Sequence, residues 1–264
     1  MQPNESSGAS PPGGEDAPQI TTTACMSAAW ADAVFEAPPR RKVEGRSRAT
    51  QRHFLASECC GRDIFLEGGN EFTAGAILEH WWRMGFLHRF KFQPFCLSDL
   101  SLSSDGIPDI LIQMADGRYF AIEIKSARYF TSEKEREHHK RCELLASVGL
   151  PLLLWTDTSP LCRTVWHAAR HVQRGTMFPL TPETQDALRL GAERAETLGD
   201  LMRLPEGNWD ALMSAVALGI FSLNFKEVFD ENSKIYRSFP AHLVADFLGD
   251  RPSASSWWGR LPDR

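Results

Sequence analysis

Gly106-Ile107-Pro108-Asp109-Ile110-Leu111-Ile112, then Asp116-Gly117, then Ala121-Ile122-Glu123-Ile124-Lys125 read as strand, tight turn, strand. One carboxylate stands on the first strand, and a carboxylate and an amine stand on the second. Glu123 and Lys125 are two apart, so on a strand both side chains project from one face. Whether Asp109 joins them depends on the turn. A two-residue turn at Asp116-Gly117 would set Asp109 opposite Ile124, on the wrong face. A three-residue loop, Ala115-Asp116-Gly117 with a left-handed Gly117, sets Asp109 directly across from Glu123. The apolar pattern favours the second register. Ile110, Ile112 and Met114 then share the opposite face with Phe120, Ile122 and Ile124, giving one buried side and one acidic side.

Two carboxylates converging beside a lysine at the edge of a buried hairpin are costly unless their charge is compensated. A divalent cation is the natural compensation, and hard oxygen ligands suit Mg²⁺ or Mn²⁺. Such an ion activates a bound water and stabilises charge developing on a phosphodiester. Lys125 would orient that water and neutralise the transition state. The chemistry is that of a metal-dependent nuclease; the bland alternative is a hairpin with solvated charges.

The flanks extend the pattern. Asn70 to Trp82 reads as a helix with Glu71 near its start and Glu79 two turns on. Phe86 to Phe95 is an aromatic, strand-like run. Ser132-Glu133-Lys134-Glu135 has the form of a capping box opening a helix to about Val148, with Gly149 to close it. Pro151 to Asp157 reads as a buried strand. The order helix, strand, strand, strand, helix, strand predicts a mixed α/β core with its acids on one side.

That order and motif resemble the PD-(D/E)xK nuclease superfamily, with Pro108-Asp109, Glu123 and Lys125 in the named positions. More narrowly, residues from about 46 to 158 look like the TnsA family, the endonuclease subunit of heteromeric transposases. The matching features are Ser47 to His53, Glu71 eight residues ahead of Glu79, the Gln93-Pro94-Phe95 turn, the charged helix and the closing Leu150 to Asp157 segment. The resemblance implies a restriction-endonuclease-like mixed sheet flanked by helices. It implies Glu71, Asp109 and Lys125 as the catalytic set, with Glu123 where family members carry Gln or Glu. Glu71, Asp109 and Glu123 would hold Mg²⁺ or Mn²⁺. It further implies cleavage of the 5′ strand at transposon ends in double-stranded DNA, with a DDE-type, TnsB-like transposase and an AAA+, TnsC-like ATPase as partners. The long N-terminal extension and the C-terminal part depart from the pattern.

The net charge of −5 gives no global attraction for nucleic acid, so binding would come from local patches. Cysteines 25, 59, 60, 96, 142 and 162 show no zinc spacing and read as reduced thiols. No signal peptide is expected from the N-terminal composition, which lacks a basic start and an apolar stretch, and the longest apolar run, Leu150 to Trp155, falls far short of a bilayer span. A soluble, cytoplasmic protein without a membrane partner is expected.

Residues 1–37, rich in Pro, Gly and Ser at their start, are expected to be a disordered extension. Residues 38–175 would be the nuclease domain, entered by a basic arm of Arg40, Arg41, Lys42, Arg46, Arg48 and Arg52 that could track phosphates or be a solvated linker. Residues 176–250 read as a small, mainly helical unit: Thr181-Pro182-Glu183 starts a helix, Gly219 stops one, and Phe221, Leu223 and Phe225 alternate like a strand that Ile235-Tyr236 could pair with. That is consistent with a winged helix, although its second helix, around Trp209 to Val216, carries no Lys or Arg. Residues 251–264 would be a flexible tail. His138-His139 read as exposed, and Trp81-Trp82 and Phe90-Phe92 as core. No Ser-His-Asp arrangement or nucleotide-binding glycine loop is visible. The competing readings are a free-standing restriction or repair endonuclease, which should cut DNA alone, and a non-catalytic DNA or assembly module on the same fold.

Overall fold

The computed structural model of the chain describes residues 27–40, 53–100, 102, 106–238 and 241–248. Helix α1 (Ala28–Glu36) is capped by Ser27, whose hydroxyl accepts from the Trp30 N–H at 3.1 Å. Strands β1 (His53–Ser57) and β2 (Arg62–Leu66) form an antiparallel pair, turning at Gly61 with φ 62°. Helix α2 (Gly69–Arg83) leads to β3 (Leu87–Phe92), β4 (Ile110–Met114) and β5 (Tyr119–Lys125). Helix α3 (Ser132–Ser147) then crosses to β6 (Leu152–Thr156). The main sheet has the order β3-β4-β5-β6, antiparallel except for the parallel β5–β6 pair. A parallel neighbour requires a crossover, and the amphipathic charged stretch from 132 supplies it. The helix–strand–strand–strand–helix–strand order expected from the sequence is therefore present. The molecule is α/β, a mixed sheet and an antiparallel pair flanked by helices.

Sheet side chains alternate as the register demands. Ile110, Ile112, Met114, Phe120, Ile122 and Ile124 join the main core, together with Ile77, Leu78 and Trp81 of α2. The opposite face is not simply an acidic surface, as the sequence pattern suggested. Leu111 and Ala121 pack there against Val34, Phe95, Leu97, Leu145 and Leu150, under α1 and α3. Full burial of Leu111 and Leu145 stabilises this second layer by roughly 1.5–3 kcal/mol each. The acids therefore sit between layers.

Helix α1 corrects the expectation that residues 1–37 are disordered. The buried ammonium of Lys91 donates to the carbonyls of Val34, Phe35 and Ala37, capping acceptors that a helix end leaves unpaired. Arg89 pairs with Asp32 and lies 4.1 Å over the Phe35 ring, and Trp30 meets Phe95 edge-on at 5.2 Å. The Pro- and Gly-rich composition belongs to residues before this helix, and averaging over the whole segment hid it. Residues 1–26 and the tail 251–264 lie outside the described residues.

The cap of α3 is Thr131, which accepts from the Lys134 N–H, one residue earlier than the expected Ser132. Gly149 takes φ 81° after it, as expected. Beyond β6 come α4 (Arg163–Gly175), α5 (Pro182–Ala192), α6 (Leu198–Met202), α7 (Trp209–Ala217) and α8 (Ala241–Leu248). Thr181 caps α5 with Pro182 at its first position, and Gly219 ends α7 at φ 70°, both as the sequence indicated.

The boundary expected at residue 175 is not a boundary in the packing. One continuous core runs from Leu55 to Leu248. Gly175 lets α4 lie directly on α7: a Cβ there would stand 2.5 Å from the Met213 carbonyl carbon. Buried His80 of α2 bonds the Val216 carbonyl at 3.0 Å and the Ser222 hydroxyl at 2.8 Å, and Trp155 Nε1 donates to the Phe247 carbonyl at 2.8 Å. The expected wing is reduced to single bridges, Ser222 with Tyr236 and Thr197 with Lys234, rather than a strand ladder. The helices after β6 thus complete the sheet's own core. No helix among the described residues is long and apolar enough to cross a membrane.

Candidate active site

The loop between β4 and β5 places the acids. The Met114 N–H donates to the Arg118 carbonyl at 2.8 Å, and the Gly117 N–H to the Met114 carbonyl at 2.9 Å, with Gly117 at φ 87°. This is the three-residue loop, and pairs such as Ile110↔Ile122 and Ile112↔Phe120 set Asp109 across from Glu123. Asp109 Oδ2 accepts from the Ile124 N–H at 2.6 Å. Lys125 Nζ lies 2.9 Å from Glu123 Oε1 and 3.9 Å from Asp109 Oδ2. Asp109, Glu123 and Lys125 are therefore brought together.

Two further cations reach Glu123 from α3. Arg141 Nη1 is 2.8 Å from Oε1, and His138 Nδ1 is 2.9 Å from Oε2. Glu123 is only 2% exposed. Burial alone would raise its pKa, but the hydrogen bonds from His138 and Lys125 and the Arg141 charge outweigh it and bring it down to about 2. Burial would conversely lower the His138 pKa, yet its bonds to Cys142 and Glu123 carry it up to about 9. Asp109 is pushed upward by burial, against the pull of Lys125 and the Ile124 N–H. The argument that two carboxylates here need a divalent cation is thus met in part by protein: Lys125, Arg141 and His138 balance Glu123.

His138 was expected to be exposed with His139. It is instead buried, whereas the His139 side chain is 76% exposed. The missed signal was helical spacing, because His138, Arg141, Cys142 and Leu145 fall at i, i+3, i+4 and i+7 and face the sheet together. Asp157 was also missed. It accepts from Ser126 Oγ at 2.8 Å and the Ala127 N–H at 2.7 Å, pinning the chain just after Lys125.

The other expected site residues come from different elements. Glu71 lies in the first turn of α2, and its Oε2 accepts from the Glu67 N–H at 2.8 Å. Among the described residues, no group of three or more His, Cys, Asp or Glu side chains is gathered to hold a metal ion. Glu79 is structural: it accepts from Ser57 Oγ at 2.7 Å and from the Glu58 and Cys59 N–H groups, fixing the β1–β2 turn. Of the basic arm, Arg40 pairs with Asp99 at 2.9 Å, with its side chain still 39% exposed. Arg41, Lys42, Arg46, Arg48 and Arg52 lie outside the described residues. Glu123 and Arg141 also line a narrow crevice with Leu97, Gly106 and Pro108 that has no room for a water molecule. The site opens on the Asp109–Lys125 side, where the Lys125 and Asp109 side chains are 34% and 23% exposed. No protein-family model matches the chain, and no curated protein does.

Proposed function

We propose that the chain is a metal-dependent DNA endonuclease with a restriction-endonuclease-like fold, most similar in its motif to the TnsA-type subunits of heteromeric transposases. The observation that carries this reading is the β4–β5 register, which sets Asp109 opposite Glu123 with Lys125 between their carboxylates. The residues fit a hard divalent cation at Asp109. Its Oδ1 has no partner among the described residues, and burial disfavours its charge in the absence of a cation. Asp109, with Glu71 and Glu123, would hold Mg²⁺ or Mn²⁺. When bound, such an ion supplies an acidified water and screens phosphate charge. Lys125 donates toward the scissile phosphate and the attacking water, while His138 and Arg141 hold Glu123 in place as positioning residues. Double-stranded DNA at transposon ends is the proposed substrate, with a TnsB-like transposase and a TnsC-like ATPase as partners.

The three cations on Glu123 favour a second reading, a non-catalytic module in which the trio is a structural ion cluster. Nicking of supercoiled plasmid separates the two. The expected result is divalent-dependent nicking, by the chain alone or with a DDE-type transposase supplied, that Asp109→Ala abolishes. Nicking that survives Asp109→Ala, or none with the transposase present, would instead favour the module.

A further inference from the structure

Helix α4 carries a feature that the nuclease site does not use. Arg163, His167, Arg170 and Arg174 stand at i, i+4, i+7 and i+11, all exposed, as one stripe about 16 Å long at 1.5 Å per residue. Val165, Ala168, Ala169 and Val172 are buried on the opposite side, so packing fixes the stripe outward. The helix contains no Asp or Glu, in a chain whose net charge is −5. None of the three arginines forms an ion pair with a described residue. Elsewhere on the surface, Arg189 and Arg203 are each paired, with Asp186 and Asp200. Like charges kept together and unpaired on a rigid helix disfavour the free protein unless a polyanion neutralises them.

The stripe begins beside the start of α2. Trp166 Nε1 would lie 3.4 Å from a Cβ on Gly69, so the first turn of α4 meets the start of α2, two residues before Glu71. The Arg170 guanidinium lies 4.7 Å over the Trp166 ring. His53, whose pKa is lowered by burial and then by the charge of Arg170, is the residue that follows the basic arm in sequence. His53, the first described residue after that arm, is thus within reach of the Arg170 charge.

We infer that the outer face of α4 binds the sugar–phosphate backbone of double-stranded DNA, positioning the duplex for the site at Asp109 and Lys125; this rests on the nuclease reading. Planar guanidiniums on a fixed helix suit bidentate contacts to phosphate oxygens, which give register and affinity without reading sequence.

The test is binding of a short labelled duplex by the full chain, without divalent metal, across a range of salt. Binding is read separately from cleavage, so failure of the nuclease reading and failure of this one are distinguishable. Each lost phosphate contact should lower the slope of log K against log salt by about 0.9. Arg163→Ala/Arg170→Ala/Arg174→Ala should therefore flatten it by about 2.7 and weaken low-salt binding at least ~10-fold. Arg189→Ala/Arg194→Ala/Arg203→Ala removes the same charge elsewhere and should leave the slope unchanged. All the substituted side chains are exposed, and unfolding temperature checks the fold. Should the triple variant unfold, Arg174→Ala alone should still flatten the slope by about 0.9. An unchanged slope, an equal loss in the control variant, or a wild type that does not bind duplex would overturn the assignment. So would a stripe variant that loses an acidic protein partner but keeps DNA.

Discussion

Lys125→Ala is expected to slow DNA cleavage by about 10²–10³-fold, the usual cost of removing one preorganised donor from a developing charge. The ammonium lies 2.9 Å from Glu123 and 3.9 Å from Asp109, and its side chain is still 34% exposed, so it can reach a bound phosphate. The fold should survive, because Arg141 and His138 continue to balance Glu123. Lys125→Arg should not restore the rate, since a planar fork cannot replace a compact ammonium in this space. Single-turnover cleavage, run beside thermal unfolding, checks both statements. A rate equal to wild type would remove Lys125 from the chemistry and leave it as a counter-ion for Glu123.

Glu123→Gln is expected to cost about 1–3 kcal/mol of stability, because it leaves His138 and the part-exposed Arg141 and Lys125 around an uncharged side chain that is 2% exposed. The pH profile gives a sharper reading. The folded pKa of Glu123 is depressed from 4.5 to about 2, so its contribution is present above 4.5 and fades as pH falls toward 2. The folded pKa of His138 is raised from 6.5 to about 9, so its contribution is complete below 6.5 and is lost as pH rises through 9. Together they place the maximum contribution between 4.5 and 6.5. Glu123→Gln should flatten both limbs in thermal unfolding, whereas His138→Gln should flatten chiefly the alkaline one. A variant profile parallel to wild type would mean that the cluster contributes nothing to folding.

The main sheet was legible because its signals are local. Period-two apolar runs, the Ala115-Asp116-Gly117 loop and the strand after Gly149 fixed the elements, and the apolar alternation selected the register that opposes Asp109 to Glu123. What was not legible depends on distant partners. The β1–β2 pair is short and is fixed by Glu79 from another element. Helix α1 is capped by Lys91, far along the chain. His138 and Arg141 acquire their role only when α3 folds over β5. The pairing expected of a wing is present only as the antiparallel Ser222–Tyr236 bridge, with Phe221, Leu223 and Phe225 buried in the shared core. At the site, Asp109, Glu123 and Lys125 were found by spacing, whereas Glu71 was assigned through resemblance, and its carboxylate meets the Glu67 N–H.

The most direct test of the metal-dependent nuclease reading is thermal unfolding with and without Mn²⁺, for wild type and Asp109→Asn. Free Mn²⁺ at about 100 times its dissociation constant should add roughly 2.7 kcal/mol to the wild type. Asp109→Asn should gain nothing from the ion and start from a higher baseline without it, because burial already disfavours the Asp109 charge. Stabilisation of the wild type alone is the predicted result. An equal response in both proteins, or none in either, would contradict a metal site at Asp109 and move the non-catalytic reading ahead.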